Sequence, residues 1–194
     1  LLERLGVSEE YTGAPLCSSM KVTQVSVSPR LGAPVYLDAA AREADGIVII
    51  NRIKSHPAYS GRYESGLVKM AAIGLGKQKQ AEFCHNAGAG RIGEYIEDIG
   101  LELLKNINLL AAVALVENAF FETAQLEVLR ADEIALQEPR LLEAARELAA
   151  RFYIEEFDVL IIDEIGKEIS GAGFDTTIVG RYSSPYRSGG PRIS

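Results

Sequence analysis

The residues best equipped for chemistry crowd into one stretch, residues 54–90. The chain holds two histidines, His56 and His85. Imidazole is the side chain suited to proton transfer near neutral pH and a common metal ligand. A lone histidine is more often a surface or hydrogen-bonded core residue, but position favours these two. His56 comes shortly after the apolar run Gly46-Ile47-Val48-Ile49-Ile50, and His85 stands in Cys84-His85-Asn86-Ala87-Gly88 at an expected helix end. Between them Lys69 sits among Leu67, Val68, Met70, Ala71 and Ala72. An ammonium there either snorkels to solvent from an amphipathic helix or, in a low-dielectric setting, gives up its proton readily and becomes a nucleophile. On the residues alone, snorkelling is the commoner outcome. Lys54 and Arg62 flank His56 and suit carboxylate or phosphate, as they equally suit a solvated surface.

Gly61, Gly66, Gly74 and Gly76 fall in the same stretch and invite a nucleotide-binding reading. A Walker A loop needs Ser or Thr after its lysine, where Gln78 follows Lys77. A Rossmann fingerprint needs a third glycine where Lys79 stands, and the opening strand of a βαβ unit before it. Both standard motifs fail, which leaves a generic phosphate cradle of glycine amides and a helix N-terminus.

The elements that would position these residues read as alternating strands and helices. Val22–Val27 alternates apolar and polar residues as a strand does. Residues 35–44 read as helix after Pro34. Residues 47–50, 109–116 and 157–162 are continuous apolar runs of the kind buried on both faces of a parallel sheet. The first opens into a polar, glycine-containing loop from Asn51 to Gly66, the place where α/β proteins usually hold ligands. Helices are predicted over 78–86, 92–107 and 131–151, the last broken at Pro139. In the second, Ile92, Tyr95, Ile96, Ile99 and Leu103 share a face. Residues 124–130 read as strand, and the Gly-, Ser- and Thr-rich tail from Ser170 as loop. The expected fold is α/β, a largely parallel sheet flanked by helices, within a two-domain protein. Residues 1–155 would form a cofactor- and substrate-binding domain, and 156–194 the start of a second domain or a crossing segment.

Composition narrows the partners. The formal charge of -7 argues against a nucleic-acid surface. No run of eighteen apolar residues offers a membrane span. Cys17 and Cys84 are far apart and in no C-x-x-C pair, which suits a reducing cytoplasm and excludes a four-cysteine metal site within the chain. The start at Leu1 without methionine, and the stop at Ser194, read as an internal piece of a longer protein.

One family pattern fits this order of residues. The strand at 47–50, His56, the segment from Ser60-Gly61 through Ser65-Gly66, Lys69, and His85 with Asn86 resemble the central motif of the nickel-pincer-dependent lactate racemase family. The steps of thirteen residues from His56 to Lys69 and sixteen to His85 suit that motif. From Leu1 to Ile193 the chain further resembles a less characterised branch carrying Glu64-Ser65-Gly66-Leu67-Val68-Lys69-Met70 and Ile73-Gly74-Leu75-Gly76-Lys77-Gln78. The resemblance implies a racemase or epimerase of a small 2-hydroxyacid, whose cofactor is a pyridinium mononucleotide gripping nickel through two sulfur donors. Lys69 would anchor that cofactor covalently, with Ser65, Gly66 and Arg62 beside it, and His85 would complete the metal's plane. His56 would be one of two general bases, acting while the substrate's Cα–H leaves as hydride. Lys167 would approach from a second domain. The family's Asp- and Arg-bearing phosphate loop and second catalytic histidine would precede Leu1, and Asn86 follows His85 where the better-known order is reversed. The alternative is a non-catalytic or diverged module that binds a nucleotide or anionic metabolite at the sheet-end loop.

Overall fold

The computed structural model describes residues 4, 6–154, 156–166, 173–180, 182, 185 and 192–193. After a short helix α1 (Glu9–Thr12), strands β1 (Val22–Val27) and β2 (Pro34–Asp38) form an antiparallel pair. The helix expected over 35–44 is therefore split: only α2 (Ala39–Glu43) is helical. Val35 and Leu37 are buried while Tyr36 is only partly so, and this two-residue period fits a strand despite the helix formers nearby. Asp38 ends the strand and caps α2, accepting the Ala40 N–H at 2.9 Å.

β3 (Ile47–Arg52) runs parallel to β4 (Leu109–Glu117), and β5 (Thr123–Leu129) folds back antiparallel on β4. The expectation of a largely parallel sheet is corrected: the architecture is mixed α/β, with one parallel and one antiparallel pairing in this sheet. Burial on both faces of β3 is also corrected. Ile49 points into the core, whereas Val48 and Ile50 are 53% and 60% exposed. Leu110, Leu126 and Val128 are exposed as well, so one face of the sheet carries the packing.

That packed face meets the first two of four successive helical pieces. α3 (Leu67–Lys69) passes into a π-helical stretch, Met70–Leu75, then α4 (Lys77–Asn86), and α5 (Ile92–Lys105) lies against them. α5 buries Ile92, Ile96, Ile99 and Leu103, as its spacing predicts. Gly100 of α5 lets the two backbones approach: a Cβ there would stand 2.5 Å from the Val68 carbonyl oxygen. Gly100→Ala should lower stability by about 1–3 kcal/mol although alanine is the better helix former. A urea midpoint at or above that of the wild type would contradict this packing.

α6 (Ala131–Leu148) packs on β4 and α3. It runs unbroken through Pro139, against the predicted break. Proline has no N–H, so the Ala135 carbonyl loses its helical donor. The Tyr63 hydroxyl donates to that oxygen at 2.8 Å and the Arg62 Nη2 at 3.2 Å, which replaces the missing bond. The strand expected at 157–162 shrinks to β6 (Glu156–Phe157), paired in parallel with β7 (Arg192–Ile193), while Val159 and Ile161 stay exposed in irregular chain. An apolar run becomes a strand only where neighbouring backbone is there to pair with it. α7 (Thr176–Val179) is a single turn capped by Asp175. Lys167 and most of the tail from Ser170 lie outside the described residues. No helix of the described residues is long and apolar enough to cross a membrane.

Candidate functional site

β3 delivers the chain into a loop that its own backbone closes. The Lys54 N–H donates to the Ser65 oxygen at 2.8 Å and the Ser65 N–H to the Lys54 oxygen at 3.1 Å. These two bonds pin both ends of the segment that holds His56, Tyr59 and Arg62. Inside it Glu64 is almost fully buried, and its carboxylate accepts the His56 backbone N–H at 2.7 Å and the Gly61 N–H at 3.4 Å. Arg146 of α6 donates to the same carboxylate at 2.7 Å, giving the buried charge a partner. Arg146 also pairs with Glu143. The Tyr59 hydroxyl donates to the Glu64 carbonyl at 2.9 Å, and the His56 ring lies on the Tyr59 ring with centroids 4.2 Å apart. His56 is thus half-buried and fixed by its own loop.

Lys69 leaves the same loop one turn later. The loop ends at Ser65, Gly66 begins α3, and Lys69 closes it, half-buried. Burial, and then the nearby Lys54 ammonium, hold the Lys69 amine below its ordinary pKa. Lys54 itself is exposed. The next residues, Met70–Leu75, adopt the rare π-helical form, which recurs at functional sites. Helical register is lost again at Lys77, whose φ of 54° is unusual for a side-chain-bearing residue. Lys77 is held there by an ion pair to Asp38 at 2.9 Å. Burial alone would raise the Asp38 carboxyl, but Lys77 and the Ala40 N–H together pull it below the ordinary carboxylate range.

A second buried carboxylate supports Lys69 from beneath. Glu138 of α6 accepts the Val68 N–H at 2.9 Å, so it caps the start of α3 from across the core. Its other oxygen, Oε1, has no hydrogen-bond partner among the described residues and faces Gly66. A Cβ at residue 66 would collide with this oxygen and with Ile53, so glycine there is required by space. Burial raises the Glu138 carboxyl to about 7, against the lowering pull of the Val68 and Leu67 amides. α6 therefore ties down both the loop and the start of α3: Ala135 through Tyr63 and Arg62, Glu138 through Val68, and Arg146 through Glu64.

Lys54 is tied to Ser65 by the two backbone bonds and its charge reaches Lys69, with Gly66 between Ser65 and α3. Arg62 is exposed and partly committed, reaching Ala135 with its guanidinium 5.4 Å from the Tyr63 ring centroid. His85 lies exposed in the last turn of α4. Among the described residues no hydrogen bond or ion pair joins it to Lys69. Cys84 beside it is fully buried, and burial raises its thiol to about 11, so it is no ready nucleophile. Cys84 is close enough to Tyr59 to help push the phenol up, after burial and the Glu64 and Glu138 charges. Among the described residues no group of three or more His, Cys, Asp or Glu side chains is gathered as a metal site.

Glu64, Glu138, Arg146 and Tyr59 escaped the sequence reading. Charged residues in a helix pattern read as solvated, and only Pro139 hinted that α6 faces something unusual.

No protein-family profile matches the chain, and no curated protein matches it significantly.

Proposed function

We propose that the chain forms the central part of a 2-hydroxyacid racemase or epimerase that uses a nickel-pincer pyridinium nucleotide. The observation that carries this reading is Lys69: a half-buried primary amine, its charged form disfavoured by burial and by Lys54, at the mouth of the loop that fixes His56. A neutral amine is the form that makes a covalent link. When bound, the cofactor supplies an electron-poor acceptor for hydride.

The chain's own residues divide the remaining work. Lys69 would hold the cofactor through its Nζ, and the exposed imidazole of His85 would ligate nickel, a donor type suited to that metal. A pincer that brings its own sulfur donors needs few protein ligands, so an isolated histidine fits the group. Ser65 and Gly66 border the turn into α3, and Arg62 keeps further N–H donors for a phosphate beyond the one on Ala135. His56 would meet an oxygen of the 2-hydroxyacid. Glu64 and Arg146 keep the His56 loop in place without touching substrate.

The test is intact-mass and metal analysis of the full-length protein produced together with cofactor-synthesis enzymes, followed by assays on a panel of single-enantiomer 2-hydroxyacids. We expect a nucleotide-sized mass addition, bound nickel and loss of optical purity. Nucleotide or anion binding with neither nickel nor turnover would overturn the reading in favour of a binding module at the paired lysines.

A further inference from the structure

We propose that Lys54 and Lys69 together form a binding site for a phosphate group, either inorganic phosphate or a phosphate monoester, in protein whose Lys69 amine is free. This goes beyond the racemase reading and does not rest on it, because both lysines are in place whether or not a cofactor is later attached.

Backbone geometry brings the two lysines to one place. The bonds exchanged by Lys54 and Ser65, at 2.8 and 3.1 Å, make them a directly opposed antiparallel pair. Lys69 follows Ser65 by four residues and closes α3. Ile53 is buried beside Gly66, and the next side chain, Lys54, is exposed. Lys69 is half-buried. Burial and then the Lys54 charge disfavour the charged form of Lys69, so the two side chains lie within electrostatic reach of each other.

What this pair lacks is a counter-charge. Among the described residues neither side chain has an ion-pair or hydrogen-bond partner, whereas Lys77 and Lys105 pair with Asp38 and Glu102. The two buried acids of the region are committed elsewhere. Glu64 serves Arg146 and the His56 amide, and Glu138 accepts the Val68 amide. Composition does not force this, since the chain has 27 acidic side chains against 20 lysines and arginines. Neighbouring like charges repel, and a bound anion relieves that repulsion.

The ligand's class follows from charge and donors. Glu138 already occupies the Leu67 and Val68 amides, so the start of α3 has no amide cradle to offer an anion. Recognition falls to the two ammonium groups, each with three N–H donors. A phosphate carries close to two negative charges near neutral pH and three acceptor oxygens, which suits two cations. A monocarboxylate brings half that charge.

The test is calorimetric titration of inorganic phosphate, and of acetate in parallel, into full-length protein made without cofactor-synthesis enzymes, at low salt. Wild type should bind one phosphate per chain. Lys54→Met and Lys69→Met should each weaken binding by roughly tenfold or more, and Lys54→Arg should stay within about threefold of wild type. The Lys54 bridge uses backbone atoms and its side chain is exposed, so Lys54→Met should fold and decides the matter even if Lys69→Met does not. Bound phosphate should also move the titration of the Lys69 Cε signal to higher pH in a 13C spectrum, by linkage. Absence of saturable binding, or binding unchanged in Lys54→Met, overturns the proposal. Acetate that binds as tightly as phosphate overturns the assignment to phosphate. Protein that binds phosphate yet never gains nickel or turnover fails the racemase reading alone, and protein that racemises but binds no phosphate before loading fails this inference alone.

Discussion

Lys69→Arg should yield a folded protein with no cofactor-sized mass addition and with racemisation reduced by orders of magnitude. Arginine keeps the positive charge and most of the length but offers no primary amine for a covalent link. It also cannot shed its charge, whereas burial and Lys54 already favour the neutral amine at this position. His85→Ala should part from it in a defined way. The attachment point survives there, so the organic adduct should persist on intact-mass analysis while nickel occupancy falls. A lysine that merely snorkels predicts the opposite: a change of about half a kcal/mol or less in stability and wild-type function. Wild-type-like adduct mass and turnover in Lys69→Arg would remove Lys69 from the site and with it most of the proposed mechanism.

Glu138→Gln should make the protein more stable at pH 8 and flatten its stability between pH 5 and 7. Glu138 is 1% exposed, and its carboxyl titrates at about 7 when folded against 4.5 as the ordinary value. Between those values the folded protein keeps a proton that the unfolded chain has released. Stability therefore falls as pH rises through this window, by roughly 3 kcal/mol in all, and levels off above it. Below pH 4.5 both states are protonated and the contribution vanishes. Glutamine still accepts the Val68 N–H through its carbonyl oxygen but buries no charge, so the difference between variant and wild type isolates this one group. Urea unfolding at pH 5 and pH 8 provides the check. Parallel pH profiles, or a variant less stable at pH 8, would show that the carboxylate is better compensated than its unpartnered Oε1 implies. A penalty of this kind persists in folded proteins where the strained group has something to hold, and Glu138 holds the first turn of the helix that presents Lys69.

The sequence by itself determined the elements whose periodicity is local. α5 and α4 lie within two residues of their expected ends, and β3, β4 and β5 are strands at the expected positions. It also marked the stretch proposed here as the site, because a strand opening into a glycine-containing loop is visible in residue order. Tertiary structure decided the rest, because the deciding partners are distant in sequence. Pro139 breaks a helix only if its abandoned carbonyl finds no donor, and Tyr63, 72 residues from Ala135, supplies one. Residues 157–162 have the composition of a buried strand, yet among the described residues only Phe157 of them pairs with neighbouring backbone. Val48 and Ile50 look like interior residues by type, but burial depends on what lies against that face of the sheet. Glu64 and Glu138 look like surface charges until Arg146 and the Val68 amide are placed beside them.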